Sequence, residues 1–170
     1  LSKKIINYFK NGKKFNIKVK YIIENKPYGT AGSLRFLKKK TLLPIVVSNG
    51  DILTNLNYEN LLDFHNEKKS DLTIVVRSLV HKNPYGLVNI IKNRVSSLEE
   101  KKDLLININA GIYVVNPKVL TLLKHNKIDM PDFINLLIKS KKKIFSFLLN
   151  DNWIDIGTKK NLNYSKKMIN

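Results

Sequence analysis

Cysteine is absent from the 170 residues, which excludes disulfides and thiolate metal sites and is compatible with a reducing compartment. Histidine is scarce: His65, His81 and His125 stand far apart and form no ligand pair, which argues against zinc. No apolar run approaches the length of a membrane span, and the N-terminus lacks the apolar core of a signal peptide, so a cytoplasmic location is expected. There is no linker rich in Pro, Gly or Ser and no internal repeat, so residues 1–170 read as one domain. With 43% hydrophobic residues, the chain carries enough apolar material for a core.

Acidic residues are also few, 13 against 31 basic ones, and the formal charge is +18. Such a surplus suggests a nucleic-acid or membrane surface. Its make-up points elsewhere. Almost all of it is lysine in short clusters such as Lys38-Lys39-Lys40, Lys68-Lys69 and Lys141-Lys142-Lys143, and the arginines are Arg35, Arg77 and Arg94. Sequence-reading proteins favour the planar arginine fork, and single-strand binders interleave aromatic with basic residues. Neither pattern is present, so solvated lysine faces are expected, with no nucleic acid and no membrane as partner. A basic surface would still steer anionic ligands inward.

The stretch that organises the chain is Leu42 to Leu56. Leu43 to Val47 is the kind of β-branched run that forms a strand buried on both faces, and Ser48-Asn49-Gly50-Asp51 ends it with turn residues. Asp51 is thereby offered at a strand's C-terminal edge, where open α/β sheets bind ligands and where a carboxylate suits Mg²⁺. The competing reading is a hairpin through Asn49-Gly50. Upstream, Ser2 to Lys10 reads as a helix with Ile5, Ile6 and Phe9 on its core face, and Ile17 to Ile23 as a strand. Gly29-Thr30-Ala31-Gly32 then opens a helix from about Ala31 to Lys40. This turn would offer free N–H groups to an anion, or would be a plain helix start with Thr30 as N-cap.

Downstream, helix-like and strand-like segments alternate: a helix over 58–69, strands over 72–77, 87–91, 94–98 and 106–115, helices over 117–125 and 132–143, and a strand over 144–149. The alternation argues for βαβ units and a mainly parallel sheet. Asn109 stands in an otherwise apolar strand, where its amide would meet a hydroxylated ligand or mark a sheet edge. Trp153-Ile154-Asp155-Ile156-Gly157-Thr158 supplies a second carboxylate before the last helix, 159–168.

Glu24 with Gly29-Thr30-Ala31-Gly32, then Asn49-Gly50-Asp51, Pro84-Tyr85-Gly86, Glu99-Glu100-Lys101, Asn109-Ala110-Gly111-Ile112-Tyr113 and Trp153 to Thr158 stand in one order along the chain. In this the chain resembles the sugar-1-phosphate nucleotidyltransferases, over about Ile5 to Ser165, and most of all members acting on mannose 1-phosphate, glucose 1-phosphate or related sugars. The resemblance implies an α/β fold, a Rossmann-like three-layer α/β/α sandwich with a mixed, mainly parallel sheet. It implies a reaction that joins a nucleoside triphosphate to a sugar 1-phosphate and releases pyrophosphate and an NDP-sugar. Asp51 and Asp155 would hold Mg²⁺. Gly29, Thr30, Ala31 and Gly50 would lie against the nucleotide. Tyr85, Gly86, Glu100 and Asn109 would line the sugar pocket, with Trp153 beside it and Lys101 near the sugar phosphate. Homo-oligomerisation is left open.

Two departures from that family pattern stand out. Lys102 replaces the proline that usually follows the Glu-Lys pair. The family's N-terminal strand and Gly-rich loop have no match in this chain, so residues 1–170 are expected to be the C-terminal part of one nucleotidyltransferase domain, with little or no transferase activity alone. A non-catalytic relative that binds a sugar nucleotide, or a partner subunit, is the alternative. A metal-dependent glycosyltransferase is disfavoured by the missing Asp-x-Asp.

Overall fold

A computed structural model of the chain describes residues 2–38, 41–124 and 127–169. The chain divides into two compact units. One takes residues up to Leu43 together with Asn116–Lys142, and the other takes Pro44–Val115 together with the residues from Lys143 on.

In the second unit the central sheet has the order β1-β6-β3-β7, formed by β1 (Ile45–Ser48), β6 (Leu104–Val115), β3 (Leu72–His81) and β7 (Ile144–Leu148). β6 runs antiparallel to both of its neighbours, and β3 pairs parallel with β7. β1, β3 and β7 therefore share one direction, with β6 opposed between them. The mixed character has a simple origin. From β3 the chain returns through the hairpin of β4 (Leu87–Ile91) and β5 (Arg94–Glu99) and not through a crossover helix, so the next strand enters antiparallel. α2 (Tyr58–Glu67) begins at Asn57, whose side-chain oxygen accepts the N–H groups of Glu59 (2.9 Å) and Asn60 (3.0 Å). It buries Leu61 and His65, and His65 Nδ1 meets Thr73 Oγ1 at 2.9 Å. Leu56, Leu61, Val75, Ala110, Ile112, Val114 and Leu149 form the core, with Ile52, Leu62, Phe147 and Trp153 packed on it.

Two expectations change here. The strand at Ile45–Ser48 is not buried on both faces: Ile45 and Val47 are half-buried while Val46 and Ser48 are exposed, the alternation of a strand covered on one face. The Asn49-Gly50 turn does not close a hairpin either. β1 pairs with β6, while β2 (Ile52–Thr54) pairs antiparallel with β8 (Trp153–Asp155).

In the first unit α1 (Ser2–Phe9) is helical as expected, but none of its residues is buried. Residues 17–23 form no strand, for no strand among the described residues pairs with them; instead Ile17 and Val19 donate their N–H groups back to Gly12 O (3.2 Å) and Asn11 O (3.1 Å). The helix expected from Ala31 is a shorter 3-10 helix, Gly32–Leu37, and the one expected from Pro117 is likewise 3-10, Pro117–Leu122. The expected ends of these helices, at Lys40 and His125, lie outside the described residues. α3 (Met130–Lys139) buries Met130, Phe133 and Leu137, and it ends four residues before the expected Lys143. α4 (Lys159–Ile169) closes the chain in the second unit.

Candidate functional site

Asp51 and Asp155 come together. The β2–β8 ladder pairs Ile52 with Asp155, and the Ile156 N–H extends it by donating to Asp51 O at 2.8 Å. The two carboxylates converge beside Gly157: a Cβ at that position would stand 3.0 Å from Asp155 Oδ1 and 3.2 Å from Asp51 Oδ2. Asp155 is held in place locally. Its Oδ1 accepts the Gly157 N–H (2.8 Å) and its carbonyl accepts Asn161 Nδ2 (2.7 Å), while Thr158 Oγ1 accepts the Asn161 N–H (3.2 Å) at the start of α4. Both aspartates are exposed, and neither joins an ion pair among the described residues. Two adjacent carboxylates without a cationic partner suit a hard divalent cation, whose remaining positions go to water and phosphate. Gly50 faces open space, so no contact demands glycine there.

The second group of site residues lies where β6 departs from its ladder. β3 advances from Ile74 to Val76 while β6 advances from Tyr113 to Asn109, so the residues between form a bulge, Ala110-Gly111-Ile112. Gly111 has φ +73°, and a Cβ on it would stand 2.8 Å from Asn49 Nδ2. Its carbonyl accepts the Asn49 N–H at 2.9 Å. The bulge thus braces the turn that carries Asp51. Asn109 pairs with Val76 of β3, while β1 pairs with β6 only over Ile112–Val115, so at Asn109 the other side of β6 carries no paired strand among the described residues, as the sheet-edge reading expects. Its Oδ1 accepts the Gly111 N–H (3.0 Å) and its Nδ2 donates to the Tyr113 hydroxyl (2.6 Å), so much of its capacity is spent on the bulge. The half-buried Trp153 packs on the core and donates Nε1–H to Ala110 O at 2.9 Å.

A third group occupies the β4–β5 hairpin. Gly86 lies beside Glu100, whose Oε2 would be 3.4 Å from a Cβ on the glycine. Tyr85 is 74% exposed, with its backbone N–H and C=O both bonded to the Asn83 side chain. Lys101 sits exposed with φ +46° in the turn after β5, and the neighbouring Lys102 pairs with Glu99 at 2.5 Å. No hydrogen bond or ion pair among the described residues joins this group to the carboxylate pair.

The glycine turn belongs to the first unit. Gly29 has φ +81°, and a Cβ on it would meet Ile128 O at 2.4 Å. The Thr30 N–H donates to Asp129 Oδ1 (2.9 Å), the Ala31 N–H to Ile128 O (3.2 Å) and the Gly32 N–H to Gly29 O (3.3 Å). The amides expected to be free for an anion are therefore spent within the chain. Nor is Thr30 the cap of the helix that follows it: the N-cap there is Ala31, and Thr30 Oγ1 accepts the Met130 N–H at 2.8 Å. Thr30 is exposed, Gly29 half-buried and Ala31 fully buried. Glu24 accepts the Tyr28 N–H (3.2 Å) and the Ser33 hydroxyl, and Arg35 stacks 3.7 Å from the centre of the Tyr28 ring. Asn161 and Asp129, which position a carboxylate and the turn, were not marked by sequence reasoning, and Asn49 was marked only as a turn and motif residue. Asn161 follows a Gly-Thr helix start, a local signal that could have found it; the other two act through residues distant in sequence.

A sequence model of the family described as Nucleotidyl transferase matches residues 2–169. The chain belongs to that family. Among curated relatives of this nucleotidyl transferase chain, the mannose-1-phosphate guanyltransferases of Pichia angusta and Schizosaccharomyces pombe are 30% and 31% identical over 156 residues, covering 87% of this chain and 43% of their own lengths. The probable mannose-1-phosphate guanylyltransferase 3 of Arabidopsis thaliana is 30% identical over 173 residues, 96% of this chain and 52% of its own length. The chain thus spans about half the length of the curated relatives it matches. Among solved structures, HddC from Yersinia pseudotuberculosis has a TM-score of 0.73 at 26% identity, over 98% of this chain and 74% of that one, and a second structure of it is complexed with GMP-PN. A glucose-1-phosphate thymidylyltransferase-like structure from Bacillus anthracis, with a TM-score of 0.73 at 20% identity over 97% of this chain and 70% of that one, shares the fold. The expected α/β architecture of the nucleotide-diphospho-sugar transferases is thereby established.

Proposed function

We propose that this nucleotidyl transferase chain serves the transfer of a nucleoside monophosphate from an NTP to a sugar 1-phosphate, with guanosine nucleotides and mannose 1-phosphate as the first substrates to try. The observation that carries the reading is the pair of carboxylates, Asp51 and Asp155, converging on the bare Cα of Gly157 with no cationic partner among the described residues. The names of the curated relatives and the GMP-PN complex of HddC support the choice of substrates.

In the reaction an oxygen of the sugar phosphate attacks the α-phosphorus, the bond from that phosphorus to the bridging oxygen breaks, and pyrophosphate leaves with the electron pair. The sugar phosphate is already a nucleophile, so no covalent intermediate is needed. Asp51 and Asp155 would hold Mg²⁺, which when bound offsets charge building on the phosphates. Their fit to it rests on the Gly157 cradle, where any side chain would push against the oxygens that must converge. Lys101 would pair with the sugar phosphate. Glu100, held beside Gly86, and Tyr85 would take the sugar hydroxyls; Asn109 and Trp153 would shape that pocket chiefly by fixing the β6 bulge. Gly29, Thr30, Ala31 and Gly50 would meet the nucleotide.

The test is pyrophosphate release from each NTP with mannose 1-phosphate or glucose 1-phosphate, together with Mn²⁺ binding followed by water-proton relaxation. Residues 1–170 alone should release little or no pyrophosphate, and robust release from them would overturn that expectation. In a complete enzyme that carries these residues, Mg²⁺-dependent release should fall by about a thousandfold or more in Asp51→Ala and in Asp155→Ala, in the range seen when a main electrostatic group of a phosphoryl-transfer site is lost. Wild-type turnover in either variant of that enzyme removes the residue from the site, and sugar-nucleotide binding by it without any release favours the non-catalytic reading.

A further inference from the structure

We propose that Asp129 is a positioning residue for the glycine turn, forming with Thr30 a reciprocal latch that fixes the backbone of Gly29-Thr30-Ala31 in its ligand-meeting shape. The proposal rests on the nucleotide assignment of that turn made above. Asp129 occupies the N-cap of α3 with extended backbone, φ −90° and ψ 161°. An aspartate in that place ordinarily turns its carboxylate onto the second or third N–H of its own helix. This one makes no such bond. Its Oδ1 accepts instead the Thr30 N–H at 2.9 Å, and the first N–H of α3, that of Met130, is taken by Thr30 Oγ1 at 2.8 Å. Asp129 thus satisfies the amide of Thr30, and Thr30 that of Met130, the residue after Asp129, across a separation of 99 residues in the first bond.

Two backbone bonds frame the exchange. The Ile128 N–H donates to Tyr28 O at 2.9 Å, and the Ala31 N–H donates to Ile128 O at 3.2 Å. Between them Gly29 adopts φ +81°, with Ile128 O and Asp129 Oδ1 lying 2.4 and 2.8 Å from where a Cβ would be. The glycine is therefore demanded twice, by its left-handed backbone and by the close approach of the segment before α3. α3 forgoes its own side-chain cap in this arrangement. What is gained is a turn held from outside, with the Thr30 N–H committed and one lone pair of its hydroxyl used, while the hydroxyl proton is left to donate.

The experiment compares the chain with Asp129→Ala and Asp129→Asn by three readings: amide hydrogen exchange resolved by NMR, the dissociation constant for GTP in the presence of Mg²⁺ by calorimetry, and thermal unfolding. Loss of a charge-assisted hydrogen bond should speed exchange at Thr30 about tenfold or more in Asp129→Ala, leave Val75, Ile112 and Val114 unchanged, and weaken GTP about tenfold. Asp129→Asn keeps an acceptor oxygen and should recover most of both effects. Unchanged Thr30 exchange in Asp129→Ala overturns the latch. A loosened turn with unaltered GTP affinity overturns the positioning role. If the wild-type chain binds no nucleoside triphosphate while its Thr30 amide still answers to Asp129, the nucleotide assignment of the turn fails; the positioning role fails with it, and the latch stands as a structural tie.

Discussion

Gly157 and Asp155 show how a single position sets both geometry and charge in the proposed metal site. Oδ1 of Asp155 accepts the Gly157 N–H at 2.8 Å, so the carboxylate serves its own turn as well as any cation. The two duties separate on substitution. Asp155→Asn retains an oxygen for the turn but loses the charge, so folding stability should stay within about 0.5 kcal/mol of wild type, as for most exposed changes. Mn²⁺ affinity should fall at least tenfold, since a hard cation is held mainly by carboxylate charge. Asp155→Ala should lose both. Gly157→Ala presses a methyl group against the two oxygens and should weaken Mn²⁺ with the charges intact. Denaturant unfolding and Mn²⁺ titration on the three variants check this, and equal metal affinity in Asp155→Asn and wild type would refute it. Asp51 and Asp155 were legible in the sequence because each ends an apolar run at turn residues. The commitment of the Asn109 amide was not, because its partners, the Gly111 N–H and the Tyr113 hydroxyl, are brought to it by a bulge that no local pattern announces.

Among the elements, β6 connects the most parts of the site. Its bulge meets the Asn49 turn and takes the Trp153 Nε1–H, so a disturbance there reaches both the turn that carries Asp51 and the strand that carries Asp155. Gly111→Ala should cost about 2 kcal/mol, combining roughly 1 kcal/mol or more for a side chain in left-handed backbone with crowding of Asn49 Nδ2 at 2.8 Å. Asn49→Ala removes the crowding and not the backbone term. The double variant should therefore be more stable than the two single losses predict, by about 0.5–1 kcal/mol, a coupling that denaturant titration can resolve. Strict additivity would show that the amide yields without cost. Most strands were read correctly because β-branched runs bounded by turn residues are local signals. The misreadings depended on partners. Residues 17–23 alternate like a strand yet have no strand paired with them among the described residues, and Thr30 looks like the cap of the next helix although its hydroxyl serves α3 instead. The direction of β6 could not be foreseen either, since alternating strands and helices suggest crossovers and the β4–β5 hairpin replaces one of them.

At the scale of the molecule, the charge of +18 was open to two readings, a polyanion groove or a solvated lysine coat. Lysines lie in clusters along the sequence, with none between Lys40 and Lys68, and the ion pair between Glu99 and Lys102 neutralises one of them locally. A dispersed positive coat raises the concentration of any small polyanion near the surface without needing a specific groove, and salt removes the effect. The screening length falls from about 10 Å at 0.1 M salt to about 3 Å at 1 M, so long-range attraction fades while contacts inside a site persist. For this chain the association rate constant of GTP, measured by stopped flow, should fall several-fold between those conditions, with the dissociation rate nearly constant. A nucleic-acid groove would behave differently: retention of generic duplex DNA would fall by orders of magnitude with a log–log slope set by the number of phosphates contacted. A steep slope with DNA and a flat response with GTP would therefore shift the function of the basic surface from steering substrates to binding polymer. The opposite pair of results ties the lysine excess to the supply of a nucleoside triphosphate to the Asp51 and Asp155 carboxylates.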